Sequence, residues 1–234
     1  MVHVLLLAVD TTSPSGSVAV LRDDVVLALL HTVSDEPYSS RLFRDLETLL
    51  RDLSLELKDF DLFSVASGPG SFTGLRVGLT AAKAWSEAYS KPVVGVSALH
   101  AVAAQSRSTA PIQVPVIDAR RHQLYYAFYC NSPSGQSLEG DESVGSAEEL
   151  FESLRALPPA RAFTLVTTDS ELLDKQLAGF DGQTGKIEVV SPALARWIGR
   201  IALAQARSGK LSDSLSLDAN YVRRSDAELH WKIT

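Results

Sequence analysis

Residues 67–79 read SGPGSFTGLRVGL and stand directly before a stretch with helical periodicity. A glycine-rich turn before a helix either cradles a phosphate or lets the helix lie very close to another element. Gly70 and Gly74 have the glycine spacing of a Walker loop. Leu75 and Arg76, however, stand where that loop needs a lysine for phosphate and a hydroxyl for magnesium. As a nucleotide motif the stretch is therefore weak, and a turn at residues 68–70 with Ser71 as the helix cap is the favoured interpretation.

The helix that follows has an unusually wide apolar surface. On a helical wheel its polar residues fill one narrow arc, and these are Thr73, Arg76, Thr80, Lys83 and Glu87. A helix that packs on one sheet needs an apolar stripe of only about 100°. Gly74 and Gly78 each cost roughly 1 kcal/mol inside a helix, so we expect a close approach there. Either another element of the same chain or another protein covers the second side, and the sequence leaves both open.

Composition narrows the class of protein. The chain has 234 residues, of which 45% are hydrophobic and 21% charged, which is enough for one large domain or two lobes. The single cysteine, Cys130, excludes an intrachain disulfide and suits a reducing cytosol. No apolar run approaches the roughly 20 residues of a membrane span. The net charge of −6 disfavours nucleic-acid binding by this chain alone.

The first hundred residues alternate between strand patterns and amphipathic helices. The predicted order is βββαβαβα, with segments at 2–9, 17–21, 25–32, 38–57, 62–66, 72–89, 93–96 and 98–105. In helix 38–57 a leucine stripe includes Leu42 and Leu46, widened by Phe43, whereas Arg41 lies outside it. Three meander strands followed by alternating helix and strand form the order of a ribonuclease-H-like lobe, so we expect an α/β fold.

A polar segment at 106–110 predicts a hinge between two lobes. We expect a ribonuclease-H-like lobe at 1–106, a smaller C-terminal lobe at 107–210 and a C-terminal tail at 211–234. In the second lobe, composition predicts a Ser/Gly-rich loop at 131–140. A final helix is predicted at 192–208, with Ser191 as its N-cap.

A carboxylate and three hydroxyls follow the first predicted strand. Asp10, Thr11, Thr12 and Ser13 come where that buried strand ends. Such groups can hold a metal-bound water or a phosphate. They can equally form an acidic turn that bonds its own backbone. The sequence leaves both interpretations open.

Five segments together resemble one family. They are AVDTTSPSGSVAVL (8–21), SGPGSFTGLRVGLTAAKAW (67–85), KPVVGVSALHAVA (91–103), VIDARRHQLYYAFY (116–129) and YVRR (221–224). They look like TsaB, also called YeaZ, the non-catalytic subunit of the bacterial system that makes threonylcarbamoyladenosine on tRNA. The 67–85 segment is the most specific, and the C-terminal half matches more loosely.

The resemblance implies an actin/Hsp70-like two-lobed ATPase fold with a reduced second lobe. It places Asp10, Thr11 and Thr12 at the first phosphate-binding turn, and with Ser13 these are candidates for a vestigial phosphate site. The catalytic relative TsaD carries a His-x-x-x-His metal pair, but the corresponding region here, 96–100, has only His100. The resemblance therefore implies no metal site and no tightly bound cofactor in this chain, with ATP/ADP and a metal ion belonging to the partner subunits.

The resemblance also implies a partner surface. Helices 38–57 and 72–89 would pack on matching helices of TsaD, with the small ATPase TsaE as a third component. The residues expected to contact TsaD are Phe72, Leu75, Arg76, Leu79, Lys83, Leu42 and Leu46. In this interpretation the glycines bring helix 72–89 close to the partner. We also expect a homodimer when the chain is alone, tRNA bound mainly through the complex, no membrane contact, and a cytoplasmic location.

Two other functions stay open, as does direct contact with tRNA. One is a sugar-kinase-like phosphotransferase that uses Asp10, and the other, less favoured, is a peptidase. The residues that could form a small basic patch for tRNA, or simply solvated surface, are Arg120, Arg121, Arg223, Arg224 and Lys232.

Overall fold

Two five-stranded sheets organise the chain, each in its own unit. The computed structural model describes residues 3–132, 135–158, 161–175, 185–211 and 214–223. The first unit comprises Met1–Ala101 and Ser191–Ala219. The second comprises Val102–Val190 and Asn220–Thr234.

The first unit begins with the predicted βββαβαβα order. Its elements are β1 (Leu5–Asp10), β2 (Ser15–Arg22), β3 (Val25–Val33), α1 (Tyr38–Leu53), β4 (Leu62–Gly68), α2 (Phe72–Tyr89), β5 (Val93–Ser97) and the first four residues of α3 (Ala98–Ala103). The sheet order is β3-β2-β1-β4-β5, in which β1 pairs antiparallel with β2 and parallel with β4. This arrangement brings the carboxyl end of β1 beside that of β4, where the glycine stretch begins.

Both long helices of this unit lie on one face of the sheet. Alternate residues of β1, namely Leu5, Leu7 and Val9, share a buried core with the apolar sides of α1 and α2. Helix α1 is shorter than the predicted 38–57 because Ser54 adopts a left-handed conformation and ends it. In α2 the side chain of Ser71 accepts a hydrogen bond from the Gly74 amide, which confirms the capped turn.

The second unit carries the other sheet. Its elements are β6 (Ile112–Asp118), β7 (Leu124–Ser132), β8 (Gly135–Gly145), α4 (Ala147–Arg155), β9 (Phe163–Thr167), α5 (Ser170–Lys175) and β10 (Gly185–Val189). The sheet order is β10-β9-β6-β7-β8. The loop predicted at 131–140 is wrong for its described residues, because β7 runs to Ser132 and β8 begins at Gly135. β8 is an exposed edge strand, and its polar sequence resembles that of a loop.

The last helix, α6 (Ala195–Arg207), belongs to the first unit. It seals the second face of the first sheet, where Gly199 lies against Leu6 and Leu21. The predicted second lobe at 107–210 therefore differs from the structure for residues 191–210. The predicted helix start differs too, because Leu194 rather than Ser191 is the N-cap residue.

Part of the predicted tail also packs on the first unit. Leu217 is 3% exposed and lies in the core shared with α1 and α2. The residues predicted as a polar tail at 211–234 thus include a core residue of the first unit. Among the described residues, no helix is long and apolar enough to cross a membrane.

We predict that Leu217→Ala lowers the free energy of unfolding by about 2–5 kcal/mol, since it leaves a cavity in a packed core. Leu215→Ala is the matched control, because Leu215 is 89% exposed and its truncation should change stability by less than about 0.5 kcal/mol. Urea unfolding of both variants measures the difference. Equal stabilities would contradict the packing of Leu217.

Candidate functional site

The loop that follows β1 buries a carboxyl group. Oδ1 of Asp10 accepts hydrogen bonds from the Thr12 amide (2.9 Å) and the Thr12 hydroxyl (2.7 Å). Oδ2 is also buried and has no hydrogen-bond partner within the described part of the chain. Burial raises the pKa of Asp10 to about 6, although the two bonds from Thr12 pull the pKa down. Asp10 thus bonds the backbone of its own loop, as the acidic-turn interpretation expects, and it does so as a buried acid.

The three hydroxyls of this loop are engaged by the chain itself. Thr11 donates to the Gly74 carbonyl at 2.8 Å, and Thr12 donates to Asp10. Ser13 donates to the carbonyl of Ser15 at 3.0 Å. Each hydroxyl therefore spends its single donor proton on an internal bond.

The glycine stretch packs against the same loop. A Cβ atom at Gly74 would stand 2.0 Å from the Thr11 carbonyl oxygen, and one at Gly70 would stand 2.5 Å from the Thr12 carbonyl oxygen. At Gly78 the obstacle would be the Thr11 hydroxyl, at 2.3 Å. The glycines thus let α2 approach its own chain, which corrects the expectation that they bring this helix close to a partner.

This packing decides whether the glycine stretch fits a phosphate. In a Walker loop, glycines and free amides surround the phosphate. Here the backbone of Thr11 and Thr12 fills the space beside Gly70 and Gly74, and the Ser71 amide donates to the Thr12 carbonyl at 2.7 Å. The stretch does not fit a phosphate cradle.

Helix α1 holds the loop from the other side. The Tyr38 hydroxyl donates to the Ser13 carbonyl, and Nη2 of Arg41 donates to the Pro14 carbonyl, both at 2.7 Å. The fully buried Arg41 also donates to the Thr32 hydroxyl at 2.8 Å, and its guanidinium lies 4.0 Å from the centre of the Tyr38 ring. Burial, followed by the negative charge of Asp10, raises the pKa of Tyr38.

Sequence reasoning missed these two residues. Arg41 belonged to the charged side of helix 38–57, where a solvent-exposed position was expected. An arginine whose partners are carbonyl groups far along the chain gives no periodic signal. The contacts of Tyr38 and Arg41 join α1 to the same loop that α2 contacts through Thr11.

The structure separates the predicted partner-binding residues into two groups. Four leucines are buried in the core of the first unit, and these are Leu42, Leu46, Leu75 and Leu79. Their side chains are not available at the surface, so the expectation that they contact TsaD is not supported. A glutamate at Leu75 or Leu79 would place a carboxylate in the core and unfold the unit rather than test an interface.

The remaining residues are accessible. Phe72 is 43% exposed, and the exposed guanidinium of Arg76 lies 3.8 Å from the centre of its ring. Lys83 is half-buried on the same helix. On α1, Phe43 is 56% exposed, although its apolar character had placed it in the buried stripe. Exposed aromatic residues thus stand on both helices.

Within the described ranges, no three His, Cys, Asp or Glu side chains gather as metal ligands would. Burial lowers the pKa of His100 to about 4, so its imidazole is neutral at pH 7. Its backbone amide donates to the Ser97 hydroxyl at 3.2 Å. His100 is thus a partly buried residue at the start of α3.

We predict that Gly74→Ala lowers stability by roughly 1–3 kcal/mol or more, because the new methyl group meets a backbone carbonyl that cannot move aside. Helix propensity alone would predict a gain of about 1 kcal/mol. The exposed Ala84→Gly in the same helix measures that propensity and should lose about 1 kcal/mol. If chemical denaturation shows Gly74→Ala to be stabilising, the close contact with Thr11 is wrong.

We predict that Asp10 makes stability fall as pH rises. The folded protein binds the Asp10 proton more tightly than the unfolded chain, since folding raises the pKa from 3.8 to about 6. This contribution is complete below pH 3.8 and is lost as pH rises through 6. Asp10→Asn should remove that slope and raise stability at pH 7.5 by up to about 3 kcal/mol.

Unfolding curves of the two proteins between pH 4 and pH 8 test this prediction. Asp10→Asn keeps the Oδ1 acceptor for Thr12, so the comparison isolates the charge. Parallel pH profiles for the two proteins would contradict the raised pKa of Asp10.

Comparisons with known proteins agree on one family. The family model described as TsaD, tRNA N6-adenosine threonylcarbamoyltransferase, matches residues 32–155. The tRNA threonylcarbamoyladenosine biosynthesis protein TsaB of Bacillus subtilis (strain 168) is 36% identical over 228 residues, which cover 97% of each chain. TsaB of Escherichia coli (strain K12) is 31% identical over 155 residues, or 65% of this chain and 67% of that one.

Solved structures give the fold. A Pseudomonas aeruginosa protein described as similar to peptidase YeaZ superposes with a TM-score of 0.77 at 25% identity, covering 94% of this chain and all of that one. The ethanolamine utilization protein EutJ of Carboxydothermus hydrogenoformans has a TM-score of 0.51 at 10% identity, covering 86% and 90%. The predicted α/β class, an actin/Hsp70-like ATPase fold, is confirmed.

The alignment with the Bacillus protein spans nearly the whole of both chains, so the relationship concerns the entire fold and not one shared motif. The chain therefore belongs to the TsaB (YeaZ) family, whose role is in the biosynthesis of threonylcarbamoyladenosine in tRNA.

Proposed function

We propose that the chain is a non-catalytic subunit that binds TsaD through the outer faces of α1 and α2. In this role it is required for transfer of threonylcarbamoyl to adenosine 37 of tRNA. The observation that carries the proposal is the exposure of Phe43 on α1 and Phe72 on α2, beside Arg76.

The chemistry of this surface suits a protein partner. Aromatic residues and arginine dominate the binding energy of protein interfaces, and the exposed surfaces of α1 and α2 carry both types. The guanidinium of Arg76 already stacks on the Phe72 ring, so the pair loses little conformational freedom on binding. Lys83 and the aliphatic part of its side chain extend the same surface.

The loop after β1 supports a non-catalytic role. The glycine stretch offers a nucleotide no phosphate cradle, because the backbone of Thr11 and Thr12 fills the space beside Gly70 and Gly74. The hydroxyls of Thr11, Thr12 and Ser13 donate to groups of the chain itself, so a nucleotide phosphate would have to displace these bonds to be held by them. We infer that ATP/ADP and the metal ion are held by the partner subunits, and that TsaE acts as the third component.

The same surface accounts for self-association. Exposed aromatic residues are covered when two copies pair through α1 and α2, so we propose a homodimer when TsaD is absent. Because the two assemblies use one surface, the homodimer competes with the complex. The cytoplasmic location and the binding of tRNA mainly through the complex stay predictions.

We predict that Phe72→Glu combined with Arg76→Glu weakens binding to TsaD of the same organism by at least about 30-fold, the loss expected from an interface hot spot. Both positions are exposed, so the fold should be retained. Calorimetric titration gives the affinity, and light scattering of the variant alone should show a monomer.

Val33→Glu is the matched control. Val33 is an exposed apolar residue on β3, in the same unit but on neither α1 nor α2. This control should bind TsaD with unchanged affinity and should still dimerise. Unchanged affinity in the Phe72/Arg76 variant would remove the helix surface as the site of binding.

A further inference from the structure

The hairpin between β6 and β7 has an unusual backbone. Arg120, Arg121 and His122 all have positive φ angles, at 62°, 55° and 58°. The Gln123 amide donates to the Arg120 carbonyl at 3.0 Å and closes the turn. Positive φ at both central residues, Arg121 and His122, is the signature of a type I′ turn.

The residues in this turn are not those that its backbone favours. Type I′ turns strongly prefer Asn-Gly, because a Cβ atom crowds the following carbonyl oxygen in the left-handed region, which glycine avoids and asparagine offsets by local hydrogen bonds. Here three successive residues with long or bulky side chains occupy it, and all three are exposed. Strain of this kind persists where the side chains themselves have a use.

Other residues of the second unit fix the turn and add a further cation. Oδ1 of Asp118 accepts from the Arg120 amide at 2.8 Å, and the Ala119 amide donates to the Gln123 carbonyl at 2.9 Å. The side chain of Gln123 accepts from the guanidinium of Arg223, which lies 5.7 Å from the centre of the Tyr125 ring. The C-terminal segment thus delivers a third arginine to the hairpin.

The charge of this cluster contrasts with that of the chain. Three arginines and a histidine gather here, although the net charge of the whole sequence is −6. The carboxylate of Asp118 lies 3.4 Å from Nη1 of Arg120, but the side chain of Arg120 is 76% exposed. An ion pair this exposed is weak, so a phosphate group can replace the carboxylate. Arginine is well suited to that exchange because its planar fork matches phosphate oxygens.

We propose that the 120–122 turn, with Arg223, is a contact surface for the phosphate backbone of RNA, and that it binds the tRNA substrate. The inference rests on the role in tRNA modification proposed above. Contacts to phosphates position the RNA without reading its sequence, which suits a subunit that serves several tRNAs. The contact adds to what the partner subunit holds and explains how an acidic chain takes part in binding RNA.

Salt-dependent binding tests the proposal. The probe is an unmodified tRNA with adenosine 37, titrated with the full chain together with TsaD between 50 and 200 mM salt. Arg120→Gln with Arg121→Gln should weaken binding on the order of tenfold at 0.1 M salt. The log–log salt slope should fall by about 1.4, at roughly 0.7 for each lost phosphate contact.

Two further variants distinguish the loss of this particular site from a general change in net charge or in the stability of the fold. Arg155→Gln with Lys186→Gln removes the same charge from exposed positions of the same unit and should leave RNA affinity within twofold. Arg121→Asn with His122→Gly supplies the residues that the turn favours, so the melting temperature should rise while RNA affinity falls several-fold. Loss of affinity equal to that of the Arg155/Lys186 control, or full affinity in both turn variants, would overturn the proposal.

The outcome does not depend on whether TsaD binds through α1 and α2. Binding of each turn variant to TsaD is measured separately and should be unchanged. If the wild-type chain fails to bind TsaD, the proposed function fails. The same variants are then titrated with tRNA using the chain alone at 50 mM salt. If only the turn variants lose affinity for tRNA, the proposed contact is supported. If all the proteins bind tRNA with equal affinity, the proposal is wrong.

Discussion

The contact between Gly74 and the carbonyl of Thr11 determines how the first unit is built. A single added methyl group would stand 2.0 Å from that oxygen, so only glycine allows α2 to reach the loop after β1. The helix then continues over the sheet with Gly78 against the Thr11 hydroxyl, and its apolar side buries Leu75 and Leu79. The loop after β1 occupies the space at the start of α2 that a phosphate would fill. A motif that resembles a phosphate site therefore serves to pack α2 on this loop.

The packing of α2 on the loop after β1 also explains why Asp10 is buried. The loop lies between α2, which it contacts through Thr11, and α1, which contacts it through Tyr38 and Arg41. A carboxyl enclosed in this way loses hydration and is retained at a cost in stability. The loop after β1 is hydrogen-bonded to both α1 and α2 and fixes their positions. A binding surface whose elements are already fixed loses less entropy when it binds a partner. Asp10 therefore lies in the loop that holds together the two helices on which Phe43 and Phe72 are exposed.

Local signals in the sequence were enough for the strands of the first unit, for α2 and for its cap, because period and turn chemistry act over a few residues. They failed where partners are distant. The amide of Ala195 donates to the hydroxyl of Ser17, which is 178 residues away in the sequence. No pattern near α6 indicates that this helix covers the second face of the first sheet. The wide apolar arc of α2 correctly predicts that this helix is covered on a second side besides the one that faces the sheet. A helical wheel cannot distinguish a partner from the chain's own loop, so the sequence places the buried Leu75 and Leu79 at an interface.

Two segments of this chain differ in how residue type follows the local geometry, which is close packing in one and positive φ angles in the other. At Gly70 and Gly74 the residue type obeys the geometry, and nothing but glycine fits. At Arg121 and His122 the backbone favours Asn-Gly, and the sequence supplies an arginine and a histidine instead. The first pattern is what packing alone requires. The second leaves the side chains of Arg120, Arg121 and His122 exposed at the tip of the turn, where a group outside the chain can reach them.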